Sequence, residues 1–304
     1  MKVTKSLLTL IILTLTLVSL LVLTSCKTKT KTDTQYQEDE QQDVQPQDHK
    51  QPVKDSTQSD EGSVTKYTYQ WLDSKNMPPV SIVIDDFGQV GGTILQGFAE
   101  LDDNITFAIL PDLPNTSKTA KLANVYGHEV ILHIPMEALD AKQNPGKFFI
   151  KAGQDKAETK DMINKWLDQI PQAIGANNHM GSRTTSDYKT IYSVMDILNK
   201  KGLFFLDSKT NAQSKVVTAA ADLKTDYAAR DIFLDVPDVS NATLNAKLKE
   251  LQKFRGRVEP VIIISHCHNQ AKLDAMRSFV SQLKGMGIQL VPLSDAVKKF
   301  NLPA

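Results

Sequence analysis

The chain has 304 residues, of which 35 are basic and 35 acidic, so its formal net charge is zero. That balance excludes the basic excess or stripe with which a nucleic-acid binder meets phosphate. Length alone leaves one large domain or two smaller ones open, because α/β barrels often exceed about 200 residues as one unit.

Residues 1–26 read as an export segment. Lys2 and Lys5 supply a positive start, Ser6 to Thr24 is an apolar run relieved only by Ser and Thr, and the run ends Leu23-Thr24-Ser25-Cys26. Small residues before a cleavage point are the pattern of a secretory signal. A cysteine closing such a run resembles the bacterial lipoprotein box, in which the cysteine is acylated and becomes the new N-terminus, so Cys26 is the predicted lipid anchor. The alternative is an uncleaved membrane anchor, since the run is nearly long enough to span a bilayer. Both readings place the rest of the chain on the extracytoplasmic side of a membrane. With Cys26 acylated, Cys267 has no partner for an intramolecular disulfide. Stability must then come from a hydrophobic core.

Residues 27–75 follow as a polar tether rich in Lys, Thr, Gln, Asp, Glu and Ser, with His49 as a solvated member. Such a stretch buries too little apolar surface to offset its ordering entropy, so disorder is predicted. A single domain is assigned to residues 76–304.

After Pro78-Pro79, Val80–Ile84 is a β-branched run of the kind buried in parallel sheets. Further strands are predicted at 105–110, 129–133, 174–178, 203–206, 231–234, 261–265 and 289–291. Helices are predicted between most of them. Asn115 caps one that stops before Gly127, and Asp161 to Gln169 carries Met162, Trp166 and Leu167 at helical spacing before Pro171. Ser186 or Asp187 opens another that runs to Lys201, Leu244 to Phe254 precedes Gly256, and Ala271 to Leu283 precedes Gly285. Strands alternating with helices imply right-handed βαβ units and a mainly parallel sheet. Seven to eight strands favour a barrel or distorted barrel. No dinucleotide glycine fingerprint, phosphate-binding P-loop or nucleophile elbow is present.

Active sites of parallel α/β folds form at the carboxyl ends of the strands. The first strand here ends in Asp85-Asp86-Phe87-Gly88, the third leads into His133 and Glu137, and the fourth into Asn177-Asn178-His179 and Arg183. The fifth ends at Asp207, the sixth at Asp235 and the seventh at His266-Cys267-His268. Adjacent carboxylates after an apolar strand are costly unless a metal or a proton occupies one of them. A helix cap with a solvated neighbour is the alternative. One Asp with two His suits a divalent metal in hydrolysis, with positions left for water and substrate. His128 precedes its strand and is assigned to a loop on the opposite side.

The strings Ile84-Asp85-Asp86-Phe87-Gly88, Gly127-His128-Glu129-Val130, His133-Ile134-Pro135-Met136-Glu137, Asn177-Asn178-His179-Met180-Gly181-Ser182, Phe204–Ser208 and Arg230–Asp235 together resemble the divergent polysaccharide deacetylase family. The resemblance runs from about Pro78 to Leu293. It implies the α/β, distorted (β/α) barrel fold of the metal-dependent polysaccharide deacetylases. In those enzymes a paired aspartate closes the first strand, which makes Asp85 the implied base and Asp86 the implied metal ligand. The relatives then carry two metal-binding histidines spaced H-x-x-x-H. Here His133 holds the first place and Glu137 the second, so either Glu137 or His179 completes the site. His179 is favoured, because imidazole suits zinc and the fourth strand should lie beside the third. His266 matches the place of a general-acid histidine.

The implied activity is metal-dependent removal of acetyl from an N-acetylated cell-envelope polysaccharide, with zinc as the cofactor. Asn178, Arg183, Asp207, Arg230 and Asp235 are further candidates, to orient these groups or bind sugar hydroxyls, each with a structural ion pair as the alternative. Two rival classes stand beside this reading: a catalytically silent carbohydrate-binding or scaffold protein of the envelope, and a metal hydrolase of another amide or ester. The implied partners are an envelope glycan and the membrane, and no nucleic acid.

Overall fold

Strand β1 (Val80–Phe87) is buried along nearly its whole length, which only a sheet covered on both faces allows. The computed structural model describes residues 75–297 apart from Asp103. Residues 1–74, with the predicted export segment, Cys26 and all but the last residue of the predicted tether, lie outside the described residues. No described helix is long and apolar enough to cross a membrane.

The remaining strands are β2 (Ile105–Ile109), β3 (Val130–Met136), β4 (Ala173–Met180), β5 (Phe204–Asp207), β6 (Tyr227–Ala229), β7 (Ile232–Phe233) and β8 (Val261–His266). They form one sheet in the order β6-β5-β4-β3-β2-β1-β8-β7. Every pairing is parallel. The edge strands β6 and β7 are separated in sequence only by Arg230 and Asp231. Strands lie about 4.8 Å apart, so a flat sheet of this size would hold its edges some ~30 Å apart. Two linking residues reach at most about 11 Å. The sheet must therefore curl, and the seam shows how it closes. Arg230 N–H donates to Asp207 of β5 and Asp231 N–H to Ile262 of β8, both at 2.9 Å. The result is a distorted (β/α) barrel.

Two apolar clusters follow from the pleat. Val83, Ala108, Ile131, Leu206, Ala228, Ile262 and Ile264 face inward and pack together. Their neighbours Ile82, Ile84, Phe107, Leu132 and Ile263 face the helices in the larger core. Leu293 of the short helix α8 (Leu293–Ala296) joins the inner cluster, while Ser294 Oγ donates to Glu129 just before β3. That helix plugs the end of the barrel opposite the strand termini.

The other helices are α1 (Gly92–Ala99), α2 (Thr116–Val125), α3 (Lys156–Leu167), α4 (Tyr188–Asn199), α5 (Val216–Leu223), α6 (Asn241–Gln252) and α7 (Gln270–Gly285). Asp155, Asp187, Ser240 and Asn269 cap α3, α4, α6 and α7 through side-chain oxygens. Helices α1, α2 and α5 lack a side-chain cap bond: the expected cap of α2, Asn115, instead donates its Nδ2 to Gln89 O at 3.0 Å, and α1 and α5 were not expected from the sequence. Two strand expectations are also corrected. Residues 289–291 form only a bridge between Val80 and Leu290, and the three-residue β6 was not foreseen. Tyr-Ala-Ala is too short and too weakly β-forming to stand out, and its place is set by pairing with β5.

Candidate metal centre

Inward-facing positions at the carboxyl ends of the strands set the site. Val83, Ile131 and Ile264 point into the barrel, and side chains two residues further on share that face. Those are Asp85, His133 and His266. Asp86 would point outward by the same rule, but its backbone turns left-handed, with φ +68°. The register against β2 slips at this place, between Ile84 and Phe87. Aspartate is among the few side chains that tolerate such a φ. The turn brings both carboxylates to one imidazole: Asp85 Oδ2 is 3.7 Å and Asp86 Oδ1 3.1 Å from His133 Nε2.

His179 enters from β4, paired beside Pro135 of β3. Its Nδ1 lies 2.8 Å from Asp86 Oδ1 and 3.2 Å from His133 Nε2. Ligand atoms of Asp86, His133 and His179 all lie within 4.8 Å of one another. Among the described residues they are the one such group of His, Cys, Asp and Glu.

Asn177 decides where the protons sit. Its Nδ2 donates to Asp85 Oδ1 at 2.8 Å, so its Oδ1, 2.7 Å from His133 Nδ1, accepts from that ring nitrogen. A neutral His133 then carries its lone pair on Nε2, facing Asp86 and His179. A carboxylate oxygen and two imidazole nitrogens converge there at 2.8, 3.1 and 3.2 Å. Neighbouring ligand atoms on a tetrahedral zinc lie about 3.3 Å apart. The donor set and its spacing fit a divalent cation. Burial disfavours charge on His133, but Asp85 and Asp86 together lift its pKa to about 8. Burial likewise opposes charge on Asp86, yet hydrogen bonds from His133, His179 and His268 hold its carboxyl well below the usual range.

Asp85 and His266 flank this group. They are paired across β1 and β8. Burial raises the pKa of Asp85, against the pull of His133, His266 and Asn177. His266 Nδ1 lies 3.0 Å from Asp235 Oδ1, and Lys272 Nζ lies 2.7 Å from Asp235 Oδ2. Burial of Asp235 is outweighed by these partners, which hold its pKa at about 2. An ionised Asp235 accepts a hydrogen bond from His266 Nδ1–H, which leaves Nε2 for the site. Burial lowers the pKa of His266, but Asp235 reverses the direction and raises it.

The match to the model of the divergent polysaccharide deacetylases covers residues 82–297. The chain belongs to that family. Two curated relatives are similar to it: YibQ of Escherichia coli, 33% identical over 189 residues, and a protein of Haemophilus influenzae, 34% identical over 157 residues. These matches take in 62% and 51% of this chain, and the chain spans only 58% and 55% of the lengths of the two relatives. Among solved structures, the ATU2773 protein of Agrobacterium tumefaciens is similar over 75% of this chain and 92% of its own, at 25% identity and a TM-score of 0.66.

The further candidate residues fall outside the cluster. Glu137 Oε2 accepts from Ala152 N–H at 2.9 Å, and its Oε1 lies 3.6 Å from the exposed Arg183. Asn178 points away from its neighbour Asn177, accepting from Ser208 N–H and donating to Met180 O. Asp207 accepts from Lys209 N–H, and burial raises its pKa. Arg230 donates to the carbonyls of Ser208 and Lys209 and stacks 3.7 Å from the Phe233 ring. No ion pair is made by it among the described residues. Asp235 alone of this set touches a site group. His128 lies on the loop before β3, as expected, and is buried there between the carbonyls of Ile105 and Ala99 and against Phe107.

The sequence reading gave no role to Asn177 or His268. Asn177 is two residues from His179 and shares its face, which the strand period of two makes legible. His268 Nε2 lies 2.6 Å from Asp86 Oδ2, a contact across 182 positions that no local pattern announces.

Beside His179 a cleft of about 470 Å³ opens over Leu110, Pro111, Pro135, Pro145 and Phe148. A second hollow of about 510 Å³ shares Asp112 and Phe148 and runs on to Met162 and Trp166.

Proposed function

We propose that this chain is a metal-dependent hydrolase that removes acetyl groups from an N-acetylated envelope polysaccharide, exported and anchored through Cys26. The observation that carries this reading is the convergence of Asp86, His133 and His179, with Asp85 and His266 paired beside each other on β1 and β8. Those three residues would hold a divalent cation, and two imidazoles with one carboxylate suit zinc. A cation there supplies Lewis acidity, polarising the acetamide carbonyl and making a water more acidic.

The chain's own groups do the rest. Asp85, with a hydrogen bond from Asn177 and the nearby charges of His133 and His266, accepts a proton from the attacking water. His266, with Nδ1 bound to Asp235 and its pKa raised, gives a proton at Nε2 to the departing sugar amine. The cleft along Pro135 and Phe148 supports a polymer substrate, because half-exposed Phe148 offers an apolar face to a sugar ring.

The zinc- or cobalt-loaded protein should release acetate from peptidoglycan or N-acetylglucosamine oligomers, and chelation should stop the release. A fully loaded protein that binds these glycans without releasing acetate would mark it as a silent carbohydrate-binding member of the fold. Release of another acid from another amide or ester would replace the substrate while keeping the site.

A further inference from the structure

Asp86 uses its two oxygens differently. Oδ1 faces the nitrogens of His133 and His179, at 3.1 and 2.8 Å. Oδ2 faces away from them, 2.6 Å from His268 Nε2. His268 lies just before the Asn269 cap of α7, and Asn269 Oδ1 accepts from Lys272 N–H at the start of that helix. Its ring centre is 5.4 Å from that of His266. The ring is therefore placed by a helix start and by a neighbour that is itself pinned to Asp235. His268 does not belong to the cluster of mutually close ligand atoms.

We propose that His268 is a positioning residue for the metal site, donating Nε2–H to Asp86 Oδ2 so that the carboxylate offers only Oδ1 to the cation. The inference rests on the reading that Asp86, His133 and His179 hold a metal. Its physical basis has three parts. His133 and His179 of β3 and β4 meet Oδ1 alone, so the donor on Oδ2 decides how the carboxylate is turned. A carboxylate whose second oxygen is engaged binds through one oxygen and leaves coordination positions for water and substrate. Groups that hydrogen-bond a ligating side chain typically change metal affinity by about 10- to 100-fold when removed. Half of the His268 side chain is exposed, 51% by relative area, so its replacement creates no buried cavity.

The experiment is a chelator-competition titration of zinc on the full chain and on His268→Ala and His268→Gln, with the absorption spectrum of the cobalt-loaded proteins. Zinc affinity of His268→Ala should fall by about 10- to 100-fold. His268→Gln, which keeps an N–H at similar reach, should recover most of that loss and return the parent cobalt spectrum. Equal affinity in all three proteins would overturn the assignment and leave the metal site intact. Loss of one bound ligand in both variants, seen as the same altered cobalt spectrum, would make His268 a direct ligand and overturn it too. Absence of zinc from the parent protein would sink the metal reading itself.

Discussion

Asn177 serves two site groups with one amide, and its Nδ2 also lies 3.3 Å from Ser208 Oγ. Its Nδ2 holds Asp85 and its Oδ1 fixes the His133 tautomer. Asn177→Ala should therefore weaken zinc binding by about 10- to 100-fold and also lower turnover, whereas Asp85→Asn should keep the metal and lose about 10² to 10⁴ in turnover. Metal analysis beside acetate-release kinetics separates the two, and full zinc affinity in Asn177→Ala would refute its role in orienting His133. Replacing Asp86, His133 or His179 by Ala should each reduce bound metal. Full occupancy in His179→Ala, with loss in Glu137→Ala, would reverse the choice of third ligand. Asp235 gives a pH test. Its folded pKa, about 2, lies below the usual ~3.9, so its ionisation stabilises the fold above about pH 4 and that contribution fades as pH falls toward 2. The melting-temperature gap between the parent and Asp235→Asn should narrow over that range, and a constant gap would mean that the ion pair contributes nothing.

At the scale of elements, strand ends and helix starts do separate work. Of the capped helices only α4 was read from its cap, Asp187. Helices α3, α6 and α7 were read from apolar spacing or the glycine behind them, and they begin five, three and one residues earlier than expected, after the caps Asp155, Ser240 and Asn269. Asp187 Oδ1 accepts from Thr190 N–H at 2.9 Å, and Asp187→Ala should cost about 1 kcal/mol, read as a lower melting temperature with zinc binding unchanged. Helix α1 begins after Gly91 with no such bond, and no local sequence feature marked it. Strand ends were legible for a different reason. An apolar run that stops at Asp or His is visible in one dimension, but its facing is not. Adjacent Asp85 and Asp86 reach one imidazole only because a left-handed residue breaks the alternation. Gly88, two residues on, has φ +118°, and a Cβ there would lie 2.8 Å from Leu110 O. Gly88→Ala should lower the melting temperature, by roughly 1–3 kcal/mol of strain, and disturb zinc binding through the β1 end.

At the scale of the whole molecule, the barrel is defined by how its seam meets. Arg230 and Asp231 hydrogen-bond to β5 and β8, the strands next to the two edges of the sheet, so closure is specified by two consecutive residues whose sequence shows no sign of it. The proposed anchor belongs to this scale as well. Cys26→Ala should lose membrane association and be poorly processed, and unchanged fractionation would refute lipidation. The sequence by itself determined the alternation of strands and helices, the family, and the residues at the carboxyl ends of β1, β3, β4 and β8. Those properties reside in local periodicity and in short strings that survive without coordinates. Only the tertiary structure decided that Asn177 and His268 join the site while Glu137, Asn178, Arg183 and Arg230 turn to other partners. The reason is physical: which way a side chain faces at a strand end depends on a single backbone dihedral. What it meets there depends on strands and loops brought alongside from far away in the chain.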